Sequence, residues 1–134
     1  MQSQSEILVY NFTKNRVSVR FIREIIEQIL RFFKKPSLNI SLVLVPKSEM
    51  KKLNYYWRHK AKATTILTFS EGDIFLCPAE IQNQARQRKI SNQQFYQILL
   101  VHGILHLMGY THDTKKNSNK MEKLEQKILT CIQN

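Results

Sequence analysis

Cysteine, glycine and proline are all scarce in this sequence of 134 residues. The two cysteines, Cys77 and Cys131, form no CxxC pair and lack the spacing of a zinc-ligand set. We interpret both as free thiols in or near the core of a protein from a reducing compartment. With only three glycines and three prolines, the chain has few turn and breaker signals, which favours long regular elements joined by short loops.

Long hydrophobic runs are also missing. No segment approaches the roughly 20 apolar residues that span a bilayer. The N-terminal segment MQSQSEILVYNF does not combine a basic stretch with an apolar one, as a secretory signal does. We therefore predict a cytoplasmic protein with no membrane partner. No linker, repeat or low-complexity tract interrupts the chain, so residues 1–134 are predicted to form a single domain.

Acidic residues are outnumbered by basic ones. The chain has 21 Lys and Arg against 10 Asp and Glu, which gives a net charge of +11. A charge of this size raises the affinity for polyanions, most often nucleic acids. A solvated basic surface with no such partner explains the composition about equally well, so charge alone does not decide between the two.

The hydrophobic pattern predicts four strands and five helices. The strands are predicted at residues 6–12, 38–45, 64–69 and 73–77, and a hairpin turn joins the last two. The helices are predicted at residues 18–35, 47–56, 78–89, 91–108 and 117–132, with Ser18 as the N-cap of the first. A hairpin combined with several helices indicates a small α+β domain.

Three of the four histidines lie in the segment HGILHLMGYTH. His102 and His106 are four residues apart on a predicted helix, so their side chains project from one face. Gly109 stands where that helix should end and can adopt the left-handed conformation that reverses the chain. The reversal would bring His112 back to the other two. Three imidazoles with an open fourth position are typical of a catalytic zinc site. The alternative is one core histidine and two surface ones.

The same histidine frame, HxxxHxxGxxH, occurs in the metzincin peptidases. In those enzymes a glutamate follows the first histidine and acts as the general base for the attacking water. Here that position is Gly103. The sequence therefore has the metal frame of a zinc peptidase without its proton acceptor, which disfavours peptidase activity.

The chain resembles the YbeY family of bacterial endoribonucleases. The family signature HGxLHLxGYDH is matched by HGILHLMGYTH at every fixed position except Thr111. The stretch LNYYWRHKAKATTILTF is similar to the family's LNxxYRxxDxPTDVLSF, and a GDI triplet begins at Gly72. A later helix with Met121 and Glu122 also fits, so the resemblance runs from about Leu53 to the C-terminus.

This resemblance implies a small mixed sheet of about four strands packed by helices, with the metal site at the end of a helix. It also implies one zinc ion per chain on His102, His106 and His112, with these residues and Arg58 forming the catalytic set. The implied activity is cleavage of single-stranded RNA in the maturation of small-subunit rRNA and in ribosome quality control, without a small-molecule cofactor. Arg58 would bind the scissile phosphate; the alternative is an arginine that contacts only the RNA backbone or solvent.

Four positions depart from the family pattern. Ala61, Thr65 and Thr111 stand where the family has aspartates, and Ala63 stands where it has proline. An aspartate next to the third histidine could orient that ligand, whereas Thr111 can form a hydrogen bond but carries no charge. The substitutions leave the three histidines intact, so we still expect the metal site, with weaker metal affinity or a slower reaction.

Further basic and aromatic residues are candidates for RNA contacts. The cations are Lys47, Lys51, Lys52, Lys60, Lys62, Arg86, Arg88 and Lys89. Tyr55, Tyr56 and Trp57 could stack on bases, although at least one is expected in the core. His59 is interpreted as part of this basic segment.

The general base is not identified by the sequence. Asp113 and Asp73 are candidates, and the substrate's own 2′-hydroxyl could instead be the nucleophile. A non-catalytic RNA-binding factor for ribosome assembly, stabilised by its metal, is the main alternative to an enzyme.

Overall fold

The computed structural model describes residues 6–33 and 38–132. Four strands and five helices lie in these ranges. The strands are β1 Ile7–Asn11, β2 Ile40–Leu44, β3 Ile66–Thr68 and β4 Asp73–Leu76. The helices are α1 Val19–Phe32, α2 Lys47–Arg58, α3 Pro78–Arg88, α4 Asn92–Leu107 and α5 Lys115–Ile132.

The four strands form one mixed sheet in the order β1-β2-β4-β3. β2 pairs in parallel with both β1 and β4, whereas β3 and β4 form the antiparallel hairpin expected from the sequence. The parallel pairs need crossover connections, and α1 fills the first of these. The predicted α+β class, with a small mixed sheet packed by helices, is confirmed.

The two faces of the sheet are covered by different helices. On one face, α4 contacts α1, α3, α5 and β3, so it lies at the centre of the main core. Eight residues of α4 are buried, which explains why it is apolar on nearly every side. On the other face, Met50 of α2 packs with Leu67 and Cys77 in a second, smaller cluster.

Side-chain caps fix where α1 and α4 begin. Ser18 accepts a hydrogen bond from the Phe21 amide at the start of α1, as predicted. Ser91 and Gln94 form a reciprocal capping box at the start of α4, which satisfies amides that the first turn leaves free. The start of α4 is thus fixed about three turns before His102.

The predicted boundaries differ from the structure by a few residues. α2 continues two residues further than expected, to Arg58, because His59 terminates it with a left-handed backbone, φ 58°. α5 begins at Lys115 rather than Asn117, since the Thr114 hydroxyl accepts the Asn117 amide at 3.1 Å. The predicted C-terminal end of the first helix falls at residues 34–35, outside the described ranges.

Two remaining expectations concern the thiols and the membrane. Both cysteines are free, but only Cys77 is buried; Cys131 is exposed, so its placement in or near the core was wrong. Burial raises the pKa of the Cys77 thiol. Among the described helices, none combines the length and apolar character that crossing a bilayer would require.

Candidate metal centre

The C-terminal half of α4 carries the first two histidines of the predicted site. His102 and His106 are one turn apart, with ring centroids separated by 4.5 Å. Their Nε2 atoms are 3.0 Å from each other, so both nitrogens point to the same place. The i, i+4 spacing in the sequence is therefore sufficient to converge two imidazoles.

The turn after α4 brings in the third histidine. Gly109 has φ +95°, a conformation that residues with a Cβ rarely adopt. The turn is closed by hydrogen bonds from the Gly109 amide to His106 O and from the Tyr110 amide to Leu105 O, both 3.0 Å. The His112 ring then lies 5.6 Å from that of His102 and 5.0 Å from that of His106. The predicted chain reversal is confirmed.

The three imidazoles fit a tetrahedral metal ion. One ring nitrogen of each histidine lies within 4.8 Å of the other two. Ligand nitrogens at about 2.0–2.1 Å from a tetrahedral zinc are roughly 3.3 Å apart, so small side-chain adjustments suffice. His102 and His106 are half-buried and His112 is exposed, which leaves one side of the cluster open to solvent.

The electrostatics of the cluster favour a neutral imidazole at His106. Burial, followed by the neighbouring His102 and His112, lowers the pKa of His106. A lowered pKa keeps the ring unprotonated at neutral pH, and an unprotonated nitrogen is the form that ligates a metal. The group can therefore hold a divalent cation.

Glu125 of α5 is a part of the site that sequence reasoning missed. Its Oε2 atom lies 3.1 Å from Nδ1 of His102, and its side chain is only 20% exposed. A proton on Nδ1 shared with this carboxylate leaves Nε2 of His102 free for a metal, the usual arrangement of a carboxylate behind a ligand histidine. The available signal was a carboxylate on the apolar stripe of α5, four residues after Met121 and three before Ile128.

Gly103 has a packing role that explains the missing glutamate. A Cβ at this position would lie 3.0 Å from both Ile66 Cδ1 and Thr68 Cγ2 of β3. Any side chain at position 103 would thus press against the sheet. A residue with a Cβ here would require the Ile66 and Thr68 side chains to shift by a few tenths of an ångström.

The departures from the family pattern fall around the third histidine and the segment before β3. The Thr111 hydroxyl donates a hydrogen bond to Asp113 Oδ1 at 2.7 Å, and the side-chain Nδ2 of Asn117 donates to the same oxygen at 2.9 Å. Hydrogen bonds from Asn117 and Thr111 lower the pKa of Asp113. Asp113 is thus engaged at the start of α5 and is outside the metal-binding group. Thr65 is buried, with its carbonyl bonded to the Cys77 amide.

Arg58 is the last residue of α2 and is exposed. Within residues 6–33 and 38–132 its guanidinium makes no hydrogen bond or ion pair, so it is free to bind an anion. The neighbouring Trp57 ring packs against Phe69 at 5.3 Å, and Phe69 directly follows β3. Because Gly103 of α4 contacts that same strand, the end of α2 and the histidine-bearing helix share β3 as their support.

The other predicted contacts are distributed over two helices. Lys47 pairs with Glu80 and Lys52 with Glu49, both at 3.6 Å. Arg88 lies 4.8 Å above the Phe95 ring, and Lys89 ends α3 with φ 58°. Contrary to the expectation that at least one of them is in the core, the three aromatics of α2 are all more than half exposed: Tyr55 59%, Tyr56 72% and Trp57 57%.

Together, the fold and the site define a small α+β protein with a cluster of three histidines that could hold a metal ion. Residues 8–133 match the model of the family described as Endoribonuclease YbeY. The chain belongs to this family. The expectation of an enzyme of the endoribonuclease class, a hydrolase of phosphodiester bonds, is thereby confirmed at the level of the family.

Individual relatives agree with this assignment. The chain is 36% identical over 107 residues to the endoribonuclease YbeY of Buchnera aphidicola subsp. Baizongia pistaciae, a match covering 72% of this chain and 70% of that protein. It is 32% identical over 134 residues to the endoribonuclease YbeY of Phytoplasma mali, and this match covers 95% of this chain and 88% of that protein. A solution structure of a Thermotoga maritima protein is similar in fold, with a TM-score of 0.65 and 26% identity over 92% of this chain and 86% of that one.

Proposed function

We propose that this chain is a zinc-dependent endoribonuclease specific for single strands, acting in the cytoplasm on small-subunit rRNA during its maturation and in ribosome quality control. The observation that carries this proposal is the convergence of three imidazole nitrogens within 4.8 Å in a chain of the endoribonuclease YbeY family. The surplus of 21 basic over 10 acidic residues supports a polyanionic substrate.

His102, His106 and His112 are the residues that would hold the metal. A set of neutral imidazoles suits zinc better than the oxygen-preferring Mg²⁺ or Ca²⁺. The ion would supply Lewis-acid polarisation of a water or a phosphate oxygen. Glu125 fixes the tautomer and the orientation of His102, so this ligand is set before the ion binds.

Arg58 is proposed to bind the scissile phosphate. Its guanidinium has five donors in a planar fork that matches a phosphate, and no described carboxylate competes for it. Charge that develops on the phosphate during cleavage would be stabilised by this contact. The role of Arg58 is therefore to position and neutralise the reacting group.

The nucleophile distinguishes two routes of cleavage. In the described part of the chain, no carboxylate joins the three histidines as a possible metal ligand. Glu125 is hydrogen-bonded to His102, and Asp113 is held by Thr111 and Asn117. Attack by the substrate's own 2′-hydroxyl needs no carboxylate base at this place and would leave a cyclic 2′,3′-phosphate. Attack by water would leave a linear end. Mass spectrometry of the products separates these routes.

The test compares wild type with His106→Ala and with His59→Asn. His59 lies outside the cluster, and asparagine tolerates its left-handed backbone, so this variant is the matched histidine control. We expect about one zinc per chain and cleavage of single-stranded RNA for wild type and the control, with both lost in His106→Ala. Cleavage by metal-free His106→Ala at the wild-type rate would refute the proposal.

A second candidate is a non-catalytic RNA-binding factor in ribosome assembly. It is supported because the two carboxylates near the histidines are both engaged, Glu125 with His102 and Asp113 with Thr111 and Asn117. Such a protein would bind zinc and RNA with a steep salt dependence. It would cleave no RNA under any metal condition, which distinguishes it from the enzyme in the same experiment.

A further inference from the structure

The exposed side of α2 concentrates positive charge. Six lysine and arginine side chains and one glutamate lie between Lys47 and Lys62, so this segment alone contributes +5 of the net +11. Two of the cations are neutralised, since Lys47 pairs with Glu80 and Lys52 with Glu49. Lys51 and Arg58 have no carboxylate within 4 Å among the residues that the structure describes.

A tyrosine lies between the two cations of α2 that have no ion-pair partner in the described residues. Lys51, Tyr55 and Arg58 are at positions i, i+4 and i+7 of α2, so they share one stripe of the helix. We call these three residues the α2 stripe. An adjacent side of the helix carries the buried Met50 and Asn54. Met50 packs in the smaller cluster, and the Asn54 side-chain amide donates to Lys62 O at 2.8 Å. Tyr55 is 59% exposed, so its ring presents a free face to solvent.

The spacing along this stripe suits a single strand of nucleic acid. Seven residues of helix advance about 10 Å, so one phosphate can lie at Lys51 and another at Arg58, with a base on the Tyr55 ring between them. Stacking on an aromatic ring together with cations on the backbone is how proteins bind single strands without reading their sequence. A base-paired strand keeps its bases stacked within the duplex and cannot use the ring.

We propose that the α2 stripe is the platform on which single-stranded RNA enters the metal centre, with Tyr55 stacking on a base and Lys51 holding a phosphate. This inference rests on the proposed function and deepens it, because it assigns the preference for single strands to a residue that ligates no metal. Arg58 lies at the end of α2 where Trp57 contacts Phe69 beside β3, the strand on which α4 packs. The C-terminal end of α2, which carries Arg58, therefore lies beside the end of the strand on which α4 packs.

The proposal is tested by RNA binding, measured apart from cleavage. Fluorescence anisotropy of a short labelled oligouridylate would be recorded with the full-length chain carrying His106→Ala, so that the RNA is not consumed. In this background Tyr55→Leu removes the ring face and keeps an apolar side chain at an exposed position. We expect binding about 5- to 100-fold weaker. Tyr55→Phe should bind as tightly as the parent.

Matched controls separate the stripe from general effects. Tyr10→Leu removes a tyrosine that is 45% exposed on β1, and we expect no change. Lys51→Gln should lower the slope of log K against log salt by about 0.7 and weaken binding more than Lys123→Gln on α5. Equal affinities for Tyr55→Leu and Tyr10→Leu, or an equal loss in Tyr55→Phe and Tyr55→Leu, would overturn the platform.

Cleavage assays in the chain with His106 intact distinguish this inference from the proposed function. If RNA is cleaved but Tyr55→Leu leaves both RNA binding and KM unchanged, the proposed role of the α2 stripe is refuted and the proposed nuclease activity is supported. If no RNA is cleaved but Tyr55→Leu still weakens RNA binding, the role of the α2 stripe is supported and the proposed nuclease activity is refuted. Support for both requires cleavage, with a KM that rises in Tyr55→Leu and a kcat that stays near the parent value.

Discussion

The contact between Glu125 and His102 predicts a specific loss of metal affinity when the carboxylate is removed. The two side chains are 3.1 Å apart, and the Glu125 side chain is 20% and the His102 side chain 35% exposed, so their contact is partly shielded from solvent. Losing such a partner typically weakens metal binding about 10- to 100-fold, which corresponds to about 1.4–2.8 kcal/mol. We expect Glu125→Ala to fall in this range.

Glu125→Gln separates the charge from the hydrogen bond. The amide oxygen of glutamine can still accept from Nδ1 of His102, but it brings no negative charge to polarise the ring. Because charge-assisted hydrogen bonds are about twice as strong as neutral ones, we expect the loss in affinity for Glu125→Gln to be about the square root of that for Glu125→Ala. Zinc affinity should therefore be highest in wild type, lower in Glu125→Gln and lowest in Glu125→Ala. This order indicates a carboxylate that orients a ligand histidine.

The assay is a competition for zinc between the protein and a chromophoric chelator at fixed pH. Glu122→Ala is the matched control, since Glu122 is on the same helix, one turn earlier, and is exposed. Circular dichroism of the metal-free proteins checks that the helices are intact. Wild-type zinc affinity in Glu125→Ala, or an equal loss in Glu122→Ala, would refute the reasoning.

Three further predictions concern the stability of the site and its surroundings. Zinc at about 100 times its Kd should raise the Tm of wild type by roughly 10 °C and leave His106→Ala unchanged in differential scanning calorimetry; an equal rise in both would contradict the three-histidine site. Gly109→Ala has open space around the new methyl, but its backbone would be strained, so it should lower the free energy of unfolding by about 1–2 kcal/mol and weaken zinc binding by displacing His112. Gly109→Asn should lower the free energy of unfolding by less. Unchanged denaturation midpoints in urea would argue against the strained turn. Asn54→Asp replaces the side-chain amide that donates to Lys62 O at 2.8 Å with a carboxylate oxygen, which cannot donate. It should destabilise the fold by about 2 kcal/mol or more. Thermal melts at neutral pH that match wild type would exclude this contact.

The sequence was sufficient to predict the elements and the clustering of the three histidines. Helical spacing alone places His102 and His106 on one face, and the glycine after the helix predicts the reversal that returns His112. These are local effects, set within a few residues by backbone geometry. The class of fold and the hairpin also followed from local periodicity. The catalytic role of Arg58 stays a prediction, because its contact with substrate depends on a partner outside the chain.

Tertiary structure alone decided which distant residues meet. Glu125 reaches His102 across 23 positions of sequence because α5 packs against α4, and no spacing rule announces such a pair. The packing of Gly103 against Ile66 and Thr68 likewise required β3 to lie beneath α4. The exposure of Tyr55 depended on which side of α2 faces the sheet, since an aromatic side chain in an amphipathic helix is equally suited to core and surface. Contacts between elements are set by the packing of whole helices and strands. The sequence could mark Glu125 as a carboxylate on an apolar stripe, but it could not say which residue of another helix this carboxylate meets.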